Sequence, residues 1–595
     1  MSAFGRTTQR YSPLLLLAVV QLVLALASPN GYQASSQVDS LGSQTPGTSQ
    51  PGTTGGTVPS GTGSTTGSSA PGGTTGAPGG TAGGSTGGTA GGGSTGGSTG
   101  GTTGATGGSS TGSTGAQAGA VTRCAGSQPA PWAYMPPCLK FTGSNGGATM
   151  TGVTGKSVNY LWYQAASNPT ASAILAQTNL AFTPQELCGM LEAYTKDVNK
   201  YWQLYGRHLV ALDGPGSNSG SAQGSNSCRT NYFYGGGCDA NDSACWRAEA
   251  DVVINMKPRP AFVLANTQTT TAFMDELAKA HIEVLGAGQG DTFTEARAPY
   301  IWDVQMSLEN TAAFGAEYVC QKLVGKPVQY AGREVKTGSP KRKIAIVHDQ
   351  TNPDHWGPGA KAFIKTVQGC GGGQVGDFSV SADVSQIPSQ MQTIAVKIRT
   401  GGYTTVYDYL DLYSNIFLSN QLDQQAWHPE IVMSGVGAAD ADIIAQLYNK
   451  NTWQYAFGPS LTWYQPPAKA DCTKAYKASG QSGSAPLLCV NVWPYFQLMA
   501  NMAQAAGPSP TIGSIQSGTF ALPLSGGTPA SPARKWGVQG DAYFGQRDIR
   551  EVYYCPNRTS DLNGKKGHYE GVLNNRRFQH GQIDSAMRVF PSGPC

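Results

Sequence analysis

From residue 155 onward two hydrophobic periods alternate along the chain. Short, continuously apolar stretches read as strands: SVNYLWY (157–163), RHLVALD (207–213), PAFVLAN (260–266) and IEVLGAG (282–288). Between them apolar residues return every three or four positions. TPQELCGMLEAYTKDVNKYWQLYG starts with Thr183 as N-cap and Pro184 at the first helical position, and TTTAFMDELAKAH puts Phe273, Leu277 and Ala280 on one face. A second series follows, with strands KIAIVHD (343–349), TTVYDYL (404–410), EIVMSGV (430–436) and QYAFGPS (454–460). One helix of this series carries Ala360, Phe363, Ile364 and Val367, and the next carries Ile387, Met391, Ile394 and Ile398. Continuously apolar strands belong to parallel sheets covered on both faces, and strands alternating with helices make right-handed βαβ units. The pattern predicts two α/β lobes, each doubly wound around a mostly parallel sheet. It also places HDQTNPDHW at the carboxyl end of a buried strand, where open α/β sheets hold ligands.

Composition changes the picture only before residue 120. Arg6 and Arg10, the apolar run Leu14–Leu26 and the A-x-A triplet Ala25–Ala27 have the parts of a signal peptide over 1–27. The apolar run is short for a membrane span, which leaves an uncleaved anchor as the alternative. Residues 28–120 are almost entirely Gly, Ser, Thr, Ala and Pro. They offer little apolar surface against the entropy of ordering them, so a disordered linker is expected. Its reach, on the order of 50 Å, suits a tether to the cell envelope as well as a passive tail. About 470 residues remain, enough for two domains. Net charge is +4, charged residues make up 12% of the chain, and no basic cluster marks nucleic acid as a partner. All 12 cysteines follow residue 120. Export and the even count argue for disulfides. Nearness along the chain pairs Cys472 with Cys489, Cys555 with Cys595, Cys320 with Cys370 and, more weakly, Cys124 with Cys138. Cys188, Cys228, Cys238 and Cys245 stay open.

In order and spacing, KIAIVHDQTNPDHWGPGAKAFIKTVQGCGGGQVGDFSVSADVSQIPSQMQTIAVKIRTGGYTTVYDYLD resembles the entry into the second lobe of the type 1 periplasmic binding proteins, the leucine/isoleucine/valine-binding class of ABC-transporter receptors. RAPYIWDVQMSLENTAAFGAEYVCQKLVG resembles that family's passage between lobes. VWPYFQLMANMAQAAGPSPTIGSIQSGTFAL is similar to its return helix, and GQRDIREVYYC to its last crossover strand. The resemblance covers roughly residues 155–555. It implies a first lobe from 155–308 and 490–545, a second from 309–489 and 546–595, and three hinge crossovers, while the Cys-bearing extension at 121–154 departs from the family. It also implies capture of a small solute, such as an amino acid, for a membrane permease. Two departures leave the ligand open. The family's Gly-Pro plus Ser/Thr-rich loop reads ANTQTTTAF here, and 214–246 holds a long insertion.

The post-strand loops supply the candidate contacts. Gln268, Thr269 and Thr270 of TQTTT combine hydroxyls with a helix start and suit an anion such as a carboxylate; ordinary N-capping is the alternative. Gly288 lies in GAGQGD, which departs from G-x-G-x-x-G and is followed by TFTEARAP, read as non-helical. His355 and Trp356 lie in HDQTNPDHW, Asp408 in DYLDLYSN and Gly435 in SGVGAAD. The alternatives are a plain turn for GAGQGD, a capped, solvated loop for HDQTNPDHW and a structural role for Asp408, which lies mid-pattern. Asp408 suits a ligand ammonium, and Trp162, Tyr163, Trp356, Tyr409, Trp463 and Tyr464 lean toward an apolar or ring-bearing solute, though aromatics are also core material. No His, Cys or Asp spacing matches a metal site: DANDSACWRAE lacks the Gly and Glu of a calcium loop and reads as a disulfide-pinned loop with a helix N-cap. No cofactor and no catalytic residue is expected.

The leading expectation is an exported, monomeric solute receptor for an ABC importer and not an enzyme. A sensory receptor using the same cleft and a wall-associated interaction protein are the alternatives. In the leading reading TQTTT and HDQTNPDHW face each other, and truncating Thr270 or Trp356 lowers affinity while the open protein stays stable. Deleting residues 28–120 is expected to leave the melting temperature within a few degrees of the full mature chain, by calorimetry; a larger drop means the segment contributes to the core.

Overall fold

The computed structural model describes residues 119–124, 132–164, 184–214, 233–234, 242–265, 271–286, 288–338, 341–350, 353–381, 385–462, 465–483, 485–487 and 489–586, with single positions at 238, 383, 589 and 595. The expected signal peptide and all but the end of the expected linker lie outside these residues. The described residues belong to the unit Gly115–Cys595.

A hairpin of β1 (Ala120–Arg123) and β2 (Leu139–Thr142), closed by Cys124–Cys138, precedes the first lobe. That lobe contains β3 (Ser157–Gln164), β4 (His208–Ala211), the two-residue β5 (Phe233–Tyr234), β6 (Phe262–Ala265), β7 (Glu283–Leu285) and β8 (Ile301–Trp302). They form a parallel sheet in the order β4-β3-β6-β7-β8, with β5 paired to the end of β3. The second lobe contains β9 (Ile344–Asp349), β10 (Gly376–Val380), β11 (Thr405–Tyr409), β12 (Glu430–Met433), β13 (Ala456–Ser460), β14 (Ile549–Thr559), β15 (Lys566–Gly571) and β16 (Arg577–Phe578). Its order is β10-β9-β11-β12-β13-β14-β15, parallel through β13 and antiparallel beyond, with β16 on β14. The same winding occurs twice: the second strand lies outside the first, and the third to fifth follow on the other side.

The continuously apolar strands are buried on both faces. Along β3, Tyr160 and Trp162 enter one core while Leu161 and Tyr163 enter the other. In the second lobe Ile344, Ile346, Tyr407 and Tyr409 face one side, and Val347, Val406, Ile431 and Met433 face the opposite side. Side chains alternate across a strand, so a two-sided core needs apolar residues at both parities.

The described elements differ from the expected ones in four places. The helix after β9 spans Pro353–Gly369, so His355 and Trp356 are helical, with Pro353 at the first position where its missing N–H costs nothing. TFTEARAP opens with a short helix, Asp291–Glu295. The chain re-enters the first lobe before 490: Cys472 and Ala475 of the helix Asp471–Ala478 share a core with Trp493, and Cys472–Cys489 links that helix to the return helix Cys489–Ala505. The hairpin β14–β15 follows the last crossover.

The bonds Cys320–Cys370, Cys472–Cys489, Cys555–Cys595 and Cys124–Cys138 are formed as expected. From the open group, Cys238 joins Cys245. Beside that bond Asp242 caps the helix Ser243–Ile254 by accepting from Cys245 N, the expected pinned loop. Among the described residues no cysteine is free, and no helix is long and apolar enough to cross a membrane.

Candidate functional site

The two lobes meet where the loops after β7 and β9 leave their sheets. The first contributes Gly288–Gly290 and the short helix Asp291–Glu295; the second contributes the start of the helix Pro353–Gly369. The rings of Phe293 and His355 meet edge to face at 4.8 Å. A Cβ placed on Gly290 would lie 2.9 Å from the His355 carbonyl oxygen and 3.0 Å from a Glu309 oxygen, so glycine is what lets the lobes approach here. The exposed N–H groups of the short helix are met by Glu309 of the helix Leu308–Lys322, whose carboxylate accepts from Asp291 N (2.6 Å) and Thr292 N (3.1 Å). Arg297 lies 3.6 Å from the Phe293 ring centroid and pairs with Asp275.

His355 is buried, its Nε2 has no hydrogen-bond partner, and burial followed by the Arg297 charge pushes its pKa down to about 4. It is therefore a neutral imidazole with an unused ring nitrogen at the seam. Asp291 is also buried. Burial, then the charges of Asp541, Glu295 and Glu309, push it up to about 8, with Arg547 opposing.

The crossovers are bonded to one another. Asp303, at the end of β8, accepts from Gly288 N at one carboxylate oxygen and from Gln305 N and Tyr495 Oη at the other, each at 2.9 Å. Its carbonyl accepts from Gly545 N (2.9 Å) and Trp536 Nε1 (3.0 Å). Gln546 of the third crossover donates to Leu461 O of the second at 2.9 Å. Arg577 spans Asp548 (2.8 Å) and Thr462 O (3.0 Å).

Of the candidates read from sequence, Gly288 and His355 reach this region. Gly288 adopts φ +58°, is exposed and is anchored through its N–H to Asp303. Gln268, Thr269 and Thr270 lie outside the described residues, between β6 and the helix Thr271–Lys279. Two expectations need correction. Trp356 is packed in the second lobe's core, edge to face with Tyr409 at 5.0 Å, because as a residue of the first helical turn it points onto the sheet. Asp408 is fully buried on β11, and its Oδ1 accepts from Ser434 N at 2.7 Å. Burial raises its pKa well above the carboxylate range, so it is no exposed counter-charge for an ammonium. Gly435 is a buried turn residue at φ +78°, close to Leu461. Trp162, Tyr163 and Tyr409 are core residues, while Trp463 and Tyr464 lie outside the described residues. Reading the sequence missed Phe293, Glu309 and Asp303. The glycine pair flanking Gln289 was their one signal, marking a close approach without naming the partner. Among the described residues no three His, Cys, Asp or Glu side chains gather as a metal site.

Two outcomes test this geometry. Trp356→Ala is expected to destabilise the ligand-free protein by roughly 3–5 kcal/mol, the cost of emptying an aromatic core site; unchanged denaturant unfolding would return Trp356 to the cleft. Asp291 holds its proton more tightly than an ordinary Asp near about 3.9. Its contribution to stability is therefore in place below that value and is lost as pH rises through about 8. The wild-type melting temperature should fall between pH 6 and 9, and Asp291→Asn should flatten that slope. Equal slopes in the two proteins would remove Asp291 as the titrating group. His355 acts in a separate window, its contribution being lost as pH falls from about 6.5 toward 4.

No family model matches the chain, and no curated protein matches it. Solved structures do. A solute-binding protein of an ABC transporter from Rhodopseudomonas palustris HaA2, in complex with p-hydroxybenzoic acid, is 14% identical, with 72% of this chain and 99% of that one covered and a TM-score of 0.47. A type 1 periplasmic binding protein from Bordetella pertussis Tohama I is 11% identical, with 70% and 100% covered and a TM-score of 0.46. A fatty acid ABC transporter substrate-binding protein from Thermomonospora curvata is 10% identical, with 74% and 99% covered and a TM-score of 0.46. By its own strand order the chain has two mostly parallel α/β lobes joined by crossovers, and the solved structures it is similar to include solute-binding proteins of ABC transporters.

Proposed function

We propose that the chain is an exported receptor that captures a small solute between its lobes and presents it to an ABC permease. The observation that carries this reading is the seam itself: loops from the carboxyl ends of two parallel sheets meet at Phe293 and His355, and the crossovers between the lobes are bonded to one another. Ligands of open α/β sheets sit outside those ends, and cleft closure about a hinge is how two-lobed proteins trap them. The proposed contacts are the Gly288 turn, the unused ring nitrogen of His355, and Gln268, Thr269 and Thr270 from the loop after β6. A neutral imidazole offers one donor and one acceptor, which suits a polar group on an otherwise apolar solute. An amino acid or similar small molecule fits this description. The role needs no chemical change in the solute, and the linker would tether the receptor to the cell envelope.

Mass spectrometry of what co-purifies with the protein identifies the solute. Calorimetry then measures it beside branched-chain amino acids, hydroxybenzoates and fatty acids, the solutes named for solved neighbours. Gly290→Val puts a side chain against the His355 carbonyl and Glu309. It should hold the lobes apart and weaken binding by about tenfold or more, because only the closed population binds tightly. Wild-type affinity in Gly290→Val, or no binding by any co-purified or panel solute, would sink the cleft reading.

A further inference from the structure

Five Arg and Lys side chains are buried among the described residues: Arg207, Lys322, Arg534, Arg550 and Arg577. Four have acceptors. Arg207 donates to backbone carbonyls, Lys322 pairs with Glu551, Arg550 donates to Ser460, Asn575 and Thr462, and Arg577 pairs with Asp548. Arg534, 3% exposed, is the exception. Its Nε has no hydrogen-bond partner, and its guanidinium carbon lies 4.1 Å from the Tyr134 ring centroid. The Tyr134 hydroxyl is itself engaged, donating to Pro532 O at 2.6 Å. The Asp548 charge acts on the guanidinium, but a buried donor without an acceptor is still costly, and native structures rarely leave one so.

Arg534 lines a hollow of about 30 Å³ together with Tyr134, Gln465, Asp471 and Trp493. Trp493 repeats the anomaly: its Nε1–H is buried and has no partner. The one carboxylate on the wall is already engaged, Asp471 accepting from Ala133 N (3.2 Å) and Lys474 Nζ (3.0 Å). Arg534 and Trp493, each with a buried donor that has no partner, are thus both wall residues of one space whose size exceeds the roughly 10–15 Å³ that a single water needs. Gln465, Val490 and Ala530 on the rim are half-buried, which leaves an entrance. None of the cleft candidates lines this hollow.

We propose that this hollow is a second binding site, separate from the interlobe cleft, that takes the carboxylate of a small organic acid between the Arg534 guanidinium and the Trp493 indole N–H. A guanidinium offers a planar fork that matches the two oxygens of a carboxylate, and the indole adds a third donor. The walls come from the N-terminal extension, the end of the second crossover, the return helix and the segment that carries Arg534. An occupant therefore ties the extension to the first lobe.

The test is thermal denaturation of the full mature chain titrated with sodium acetate, ionic strength being held with the sodium salt of HEPES. The wild-type midpoint should rise saturably. Arg534→Gln should lose the acetate-dependent rise. Trp493→Phe, which keeps a ring and removes the N–H, should need about tenfold more acetate for half the effect, as one lost hydrogen bond implies. If Arg534→Gln does not fold, Trp493→Phe decides alone. The proposal is overturned by a wild-type midpoint indifferent to acetate, by equal acetate responses in wild type and Trp493→Phe, or by a chloride titration that matches acetate in wild type, since chloride cannot use the fork.

Discussion

The carboxylate of Asp303 is the constraint on which the two-lobed arrangement depends. It stands at the end of β8, where the chain leaves the first sheet, and it gathers donors from the post-β7 turn, the first crossover and the return helix. Its own carbonyl receives the third crossover. Burial pushes its pKa up, and the bonds from Gln305, Gly288 and Tyr495 oppose that rise. A carboxylate withdrawn from water is tolerated only where several donors converge on it, so these segments are fixed together at one point. The position of Gly288, and with it the first-lobe side of the cleft, follows from that point.

Around this hub the polar groups divide by task. Those that join crossovers are paired and enclosed, as Arg577 is with Asp548 and Thr462 O. Those at the seam are strained in charge: Asp291 sits among Asp541, Glu295 and Glu309, relieved by Arg547. Satisfied bonds hold the crossovers in one geometry, while burial and the crowded acidic groups at the seam keep Asp291 protonated, a state that pH can shift. The Arg534 hollow belongs to neither group, because two of its wall residues, Arg534 and Trp493, each keep a buried donor without a partner.

The apolar strands and their helices were legible because their signal is local. KIAIV needs apolar residues at both parities to be covered twice, and TPQEL carries its own first-position proline, while its expected cap, Thr183, lies outside the described residues. The cleft was harder to read. His355 and Trp356 are adjacent in sequence, yet one faces Phe293 across the seam and the other packs on Tyr409, because successive helical residues point about 100° apart. Reading HDQTNPDHW as a loop hid that division. Asp408 follows Val406 and Tyr407 in its strand, and only the tertiary structure decides that the turn after β12 closes on it through Ser434 N.

The sequence by itself determined two doubly wound lobes, their order along the chain and several of the nearest cysteine pairs, since periodicity and short loops act over a few turns of chain. Only the tertiary structure decided which residues far apart in the chain meet. Glu309 reaches the helix that begins at Asp291, Asp303 reaches Tyr495, and Tyr134 lies beside Arg534, the last pair 400 residues apart in the chain. Such pairings leave no periodic trace. They are set by how two finished sheets dock, and a buried charge finds its partner only when that docking is complete.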